Sequence, residues 1–379
     1  MKTVPKSIAV LAIIAALLVG LASSTGNEFL LKGVWAAYLN GNTSATIGDA
    51  KFFDTREIET GFAQSWAESD NFNSQSLSDR LTESLIETES VAFLVVKNDE
   101  ILHEQYWDGY SESSQSNSFS MAKSITTMLA QCAIQDGLIK SWDQKVVDFL
   151  PDLKGEYAQE LTLRHLTTMT AGLEFNEHYT NPFDITAKTY YGPDVAKLML
   201  DEVPVSVKPG SFEYQSGATQ FLGMAVVEAT GKSLAEYASE KLWKPMGANH
   251  AAKWHLDNEN GLELAFCCFN SNARDFARFG KLMLNDGNWD GTQVLDSAFV
   301  SIATQPHAET FYGHGFWIDD SYGTHIFYQR GILGQYIISI PEHDLIIVRL
   351  GHQRGENINM HPSDYRVIVE EVLAAHTSM

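Results

Sequence analysis

Ser120 and Lys123 stand three residues apart at the front of an apolar run that ends at Gly137. A serine hydroxyl is a poor nucleophile until a neighbour takes its proton. Residues i and i+3 of a helix share a face, so the lysine amine can sit beside the hydroxyl. This is the S-x-x-K arrangement used for acyl transfer. The tetrad Ser120-Met121-Ala122-Lys123 alone also fits an N-cap serine followed by a solvated lysine. Its surroundings favour the chemical reading. A serine-rich stretch, Ser111 to Ser118, precedes it, and Ile125, Met128, Leu129, Cys132 and Ile134 recur behind it at helical spacing. Ser120 is therefore expected in the first turn of a buried helix, where free backbone N–H groups favour developing negative charge.

Two distant segments supply what the pair lacks. Pro209 to Gly217 reads as a turn followed by an exposed Tyr214-x-Ser216. A phenol serves as a base only where cations lower its pKa, and Lys123 would do so, giving a Ser–Lys–Tyr proton relay. A loop tyrosine that merely packs its ring satisfies the same pattern. In Gln329-Arg330-Gly331-Ile332-Leu333-Gly334-Gln335, glycines border a predicted strand. Glycine there permits close backbone approach, and a strand N–H can point into a cleft as an oxyanion donor. An ordinary connecting turn is the other reading.

The elements that must position these groups follow from patterning. Val91 to Val96, the Asn98-Asp99 pair and Ile101 to Trp107 predict two strands around a tight turn. Residues 138–255 are expected to be mainly helical, broken at Pro151, Gly172, Pro182, Gly192, Pro209-Gly210, Gly231 and Gly247. Phe276 to Leu284 predicts an amphipathic helix that carries Arg278, with Arg274 and Asp275 just before it, read as ion pairs supporting the core. Strands return at His314 to Ile318, His325 to Tyr328, Tyr336 to Ile340 and Leu345 to Leu350, and Asp364 to His376 closes as a helix. Strands at both ends of the chain imply an α+β fold: one antiparallel sheet assembled from both ends, with the helical insert as a second lobe and a cleft between them.

A chain of 379 residues with a net charge of −22 and an apolar content of 44% can bury a large core, and its acidity excludes a nucleic-acid partner. Cys132, Cys267 and Cys268 match no metal spacing and form no disulfide framework; they read as core residues, a single bridge being the alternative. No metal or cofactor is expected. Lys2 and Lys6 before an uncharged run over residues 7–24 predict a signal peptide, or an uncleaved inner-membrane anchor, and hence a periplasmic or secreted protein. The expected division is a leader at 1–24, an N-terminal extension at 25–85 and the main domain at 86–379.

With these residues in hand, the chain resembles the serine β-lactamase and penicillin-binding-protein superfamily, in its class C-like branch, which includes esterases and the 6-aminohexanoate-dimer hydrolases. The likeness rests on SFSMAKSITTMLA at 118–130, LTLRHLTTMTAGLEF at 161–175, the block from Pro209 to Gly247, ARDFARFGKLML at 273–284 and GILGQYIISIPEHDLIIVRLG at 331–351. It implies a β-lactamase/transpeptidase-like fold. It also implies that Ser120 is the acyl-forming nucleophile, that Lys123 promotes its deprotonation and that Tyr214 shuttles the proton. The backbone N–H groups of Ser120 and Ile332 would form the oxyanion hole, with Tyr191, Ser216, Arg330 and Gly331 toward the substrate. His165 reads as a structural tie. The chain departs from penicillin-active relatives in two places: Gln329-Arg330-Gly331 replaces Lys-Thr-Gly, and Tyr-x-Ser replaces Tyr-x-Asn. The expectation is thus an exported serine hydrolase of a small ester or amide. A β-lactamase or D,D-carboxypeptidase, and a non-catalytic binding protein keeping the fold, are the alternatives.

Overall fold

The computed structural model describes residues 17, 19–179 and 181–376. The expected leader over 1–24 lies largely outside these residues. No helix among the described residues is long and apolar enough to cross a membrane.

Eleven strands build the two sheets that concern the site: β1 (Thr55–Ile58), β2 (Ala67–Glu68), β3 (Ser90–Lys97), β4 (Glu100–Tyr106), β5 (Ser116–Asn117), β6 (Ala252–His255), β7 (Phe269–Ser271), β8 (Trp317–Asp319), β9 (Ile326–Gly331), β10 (Gln335–Ile340) and β11 (Leu345–Gly351). The main sheet runs β8-β9-β10-β11-β3-β4-β2, antiparallel apart from the β2–β4 pair. The expected assembly from both chain ends is the β11–β3 pairing, with Ile347 opposite Val95. Between β3 and β4, Asn98 and Asp99 both have positive φ, 51° and 63°. Their twist suits a two-residue hairpin, as the sequence predicted.

Helices α1 (Phe29–Ala36), α2 (Asp79–Glu87), α3 (Ala122–Gln135), α4 (Leu163–Thr167), α5 (Ile185–Tyr191), α6 (Val195–Glu202), α7 (Ser216–Thr230), α8 (Leu234–Ala238), α9 (Ala273–Leu284), α10 (Ser297–Ala303) and α11 (Ser363–His376) complete the frame. The main sheet is covered on both faces, which follows from strand alternation. On β10, Ile337 meets α9, whereas its neighbour Tyr336 meets Tyr365 of α11. A Cβ on Gly280 would lie 2.6 Å from Ile346, so only glycine lets α9 approach this closely. The expected ion pairs are present on α9. Arg274 grips Glu104 through two bonds of 2.8 and 2.6 Å, and buried Arg278 meets buried Asp275 at 2.8 Å. Asp275 also accepts the N–H groups of Asn249 and His250, so its charge is fully partnered.

The second sheet, β1-β6-β7-β5, joins the N-terminal segment to the helical lobe. Residues 25–85 are woven into the fold: β1 pairs with β6, β2 edges the main sheet, and α2 packs on α11. His165 makes the expected tie, its Nδ1 standing 3.2 Å from the Thr162 backbone N–H at the start of α4.

Two buried histidines make the fold acid-sensitive. His255 stacks on Phe53 at 4.6 Å, and His314 is enclosed beside Thr167. Burial depresses both to about 3. An unfolded histidine titrates near 6.5, so between about 6.5 and 3 the unfolded chain binds more protons than the native one. Stability is therefore expected to be retained above that window and to fall as pH drops through it, by up to about 1.4 kcal/mol per pH unit for each ring. Guanidinium unfolding at pH 7, 6 and 5 checks this; a midpoint constant over that interval contradicts it.

Candidate active site

The small sheet places Ser120. β5 leads into a 3-10 turn, Phe119–Met121, with α3 following from Ala122. Ser120 thus sits one turn ahead of the helix, slightly earlier than the sequence predicted. The Ser118 N–H donates to the Phe269 carbonyl at 2.9 Å, and the Phe119 N–H donates to Asn117 Oδ1 at 2.8 Å. Phe119 has a φ of 44°, a left-handed conformation unfavourable to a phenylalanine. Burial of its ring among core residues holds it there. From Ser116 to Ala133, Ser120 alone keeps partial exposure. A strained, pinned turn therefore presents one hydroxyl to solvent.

Lys123 is 2% exposed and lies below that hydroxyl. Its Nζ lies 2.9 Å from Ser120 Oγ, 2.9 Å from Ser216 Oγ and 3.0 Å from the Phe266 carbonyl oxygen, all within hydrogen-bond reach. The Tyr214 ring centroid is 5.1 Å from Nζ. The structure thus gathers Ser120, Lys123, Tyr214 and Ser216 from two separate segments. Tyr214 is half-buried, but Ser216, expected in an exposed stretch, is buried as the first residue of α7.

The Gln329–Gln335 segment lies alongside. A Cβ on Gly331 would sit 2.2 Å from the Ser118 carbonyl, so glycine is required for β9 to end against the Ser120 turn. Ile332 follows directly, in a short turn where Leu333 has a φ of 62°. Arg330 lays its guanidinium on Trp317, 3.3 Å from the ring centroid, and donates to the Met360 carbonyl at 2.7 Å. Trp317 in turn packs on Tyr214 at 5.5 Å, so Tyr214, Trp317 and Arg330 form a continuous wall. Tyr191 is engaged elsewhere: its ring packs on Gly33 of α1 and stacks with Phe53.

Two features were not foreseen, and a third stood only as an alternative. Glu177 receives both the N–H and the hydroxyl of Ser216, at 2.6 and 2.5 Å; nothing in its loop marks it among the chain's many acidic residues. Buried Arg349 binds the Leu333 and Gly334 carbonyls at 2.9 and 2.7 Å and so pins the turn that carries Ile332. A lone arginine in the otherwise apolar strand Leu345–Gly351 was the available signal. Third, Cys267 and Cys268, buried as expected, form a disulfide directly after Phe266, the single bridge that the sequence reading kept as its alternative. Adjacent positions in a tight bend, with Cys268 at a φ of 72°, bring the two sulfurs together. Cys132 remains a buried thiol, pushed up to about 12 by burial.

Among the described residues no cluster of three or more histidine, cysteine or acidic side chains could hold a metal ion. A separate cleft of about 690 Å³, lined by Leu81, Lys97, His103 and Val372, shares no residue with the Ser120 group. No hydrogen bond among the described residues joins a serine of that cleft to its lysine or histidines, whereas Ser120 and Lys123 lie 2.9 Å apart.

Comparison with known proteins agrees with this placement of the fold. The profile of the Beta-lactamase family matches residues 78–370. A 6-aminohexanoate-dimer hydrolase of Paenarthrobacter ureafaciens is 27% identical over 296 residues, covering 71% of this chain and 74% of that protein. Lovastatin esterase of Penicillium rubens is 25% identical over 162 residues, 37% of this chain and 40% of its own. Among solved structures, a candidate 6-aminohexanoate-dimer hydrolase from Bacillus anthracis superposes with a TM-score of 0.71 at 22% identity, covering 87% of this chain and 92% of that one.

Proposed function

Since this chain belongs to the Beta-lactamase family, we propose that it is a serine hydrolase that opens a small ester or amide through an acyl-enzyme on Ser120. The observation that carries this reading is the partly exposed Ser120, its hydroxyl 2.9 Å from the buried Lys123 amine, with the Tyr214 ring beside it. In this scheme Ser120 Oγ attacks the substrate carbonyl carbon while its proton passes to Lys123. The carbonyl oxygen becomes an oxyanion facing the backbone N–H groups of Ser120 and Ile332. Tyr214 relays the proton to the leaving alcohol or amine as the C–O or C–N bond breaks. A water molecule then repeats the sequence on the acyl-serine and restores the hydroxyl.

The substrate class draws support from the relatives, one named for an amide dimer and one for an ester. Gln329-Arg330-Gly331 at the cleft, with Arg330 laid on Trp317, supports a linear substrate over a β-lactam. Incubation with a fluorophosphonate followed by peptide mass spectrometry tests the proposal: an adduct on Ser120 is expected, and none in S120A. Short p-nitrophenyl esters or linear amides should turn over, and nitrocefin should be hydrolysed slowly if at all. Full esterase activity with unmodified Ser120 would falsify the assignment.

A further inference from the structure

We propose that Glu177 is a positioning residue of this site: by fixing the proton of Ser216, it directs the lone pair of Lys123 at the Ser120 hydroxyl. The proposal deepens the serine-hydrolase reading and rests on it. Ser216 has one hydroxyl proton. Glu177 Oε1 lies 2.5 Å from Ser216 Oγ, and a carboxylate can only accept. The proton therefore points at Glu177, and Ser216 Oγ faces Lys123 with a lone pair at 2.9 Å. The Phe266 carbonyl, 3.0 Å from Nζ, is also an acceptor only. Two of the three polar neighbours of Nζ thus demand N–H donors. A neutral amine has two N–H bonds and one lone pair, so the lone pair is left for the third neighbour, Ser120 Oγ at 2.9 Å. Without Glu177 the Ser216 hydroxyl could rotate and donate its own proton to that lone pair, quenching the base.

The carboxylate is held for this task. Its Oε2 accepts the Ser216 N–H at 2.6 Å, in the first turn of α7, where a negative charge is also favoured by the helix dipole. On one side, Gln215 Nε2 clamps the Leu173 and Phe175 carbonyls at 2.8 and 3.1 Å. On the other, Thr186 Oγ1 stands 2.9 Å from the Asn176 carbonyl and 2.7 Å from that of His178. The Tyr179 hydroxyl donates to Glu177 Oε1. Around the Lys123–Ser216 pair, the titratable neighbours are Tyr214 and Glu177, with Tyr179 beyond.

The test is a double-mutant cycle on the acylation rate, read from fluorophosphonate labelling of Ser120 and from kcat and KM with p-nitrophenyl acetate. E177Q offers Ser216 an amide that can donate as well as accept, so acylation is expected to slow by about 10- to 100-fold with KM little changed. S216A should lose a similar factor, and the double variant should be no slower than the worse single one, because both changes break one relay. E177D, which keeps the carboxylate, should recover part of the rate. Losses that multiply in the double variant, or an E177Q enzyme acylating at the wild-type rate, overturn the assignment. If E177Q does not fold, S216T is compared with S216A: recovery with threonine supports the relay, and equal rates overturn it. A wild-type enzyme that never labels on Ser120 overturns the serine-hydrolase reading itself, a failure distinguishable from these.

Discussion

Replacing Lys123 by methionine is expected to slow acylation of Ser120 by about 10³-fold or more while leaving a folded protein. The size of the effect follows from how the amine is placed. It is buried, and three oxygen atoms surround it at 2.9 to 3.0 Å. No acidic side chain among the described residues forms an ion pair with it, so its role is not that of a salt-bridge partner. Methionine fills the space of the stem and removes the proton acceptor together with its N–H donors. The residual penalty to stability is one buried Phe266 carbonyl left without this donor, about 1–3 kcal/mol. Stopped-flow detection of the p-nitrophenol burst, alongside a thermal melt, separates the two effects. Wild-type burst rates would remove the lysine from the mechanism.

Loss of Arg349 should produce the largest fall in stability of any single change near the site. Its guanidinium is fully enclosed and has no carboxylate directly against it. Instead it donates to the Ser90 hydroxyl at 2.9 Å and to the carbonyls of Thr88 at 2.5 Å, Leu333 at 2.9 Å, Gly334 at 2.7 Å and Gln353 at 2.9 Å. Burial pulls its pKa below the usual arginine value. R349M leaves those oxygens buried without the donor, and a loss of about 3–5 kcal/mol is expected. R349K keeps the charge but not the planar fork, so it should recover only part of this loss. The same variants should lower kcat at temperatures well below the unfolding midpoint, because the freed turn carries Ile332. Denaturant unfolding and kcat at 20 °C check both halves. An R349M protein as stable as wild type would show that the network contributes little.

The resemblance was strong because the Ser120–Lys123 pair is local. Ser120 and Lys123 lie one helical turn apart, and a spacing of three residues plus an apolar helix behind it is visible in any linear reading. The β3–β4 hairpin was legible for a similar reason, since Asn98 and Asp99 tolerate the positive φ that its turn requires. Ser216 was visible as a candidate, but its burial was not. Its surroundings depend on a loop forty residues earlier being folded back over it, which no periodicity records.

What the sequence determined by itself was therefore the pairing of Ser120 with its neighbouring amine and a sheet drawn from both ends of the chain, because these follow from spacing, turn chemistry and hydrophobic period. Only the tertiary structure decided that Glu177 closes on Ser216, that the Phe266 carbonyl completes the shell of Lys123, that Arg349 ties five distant oxygens around the Ile332 turn, and that Tyr191 packs on Phe53 and Gly33. Those contacts join backbone carbonyls and single side chains across long loops. A carbonyl is present at every residue, so its identity as a partner is invisible until packing selects which one is left without water.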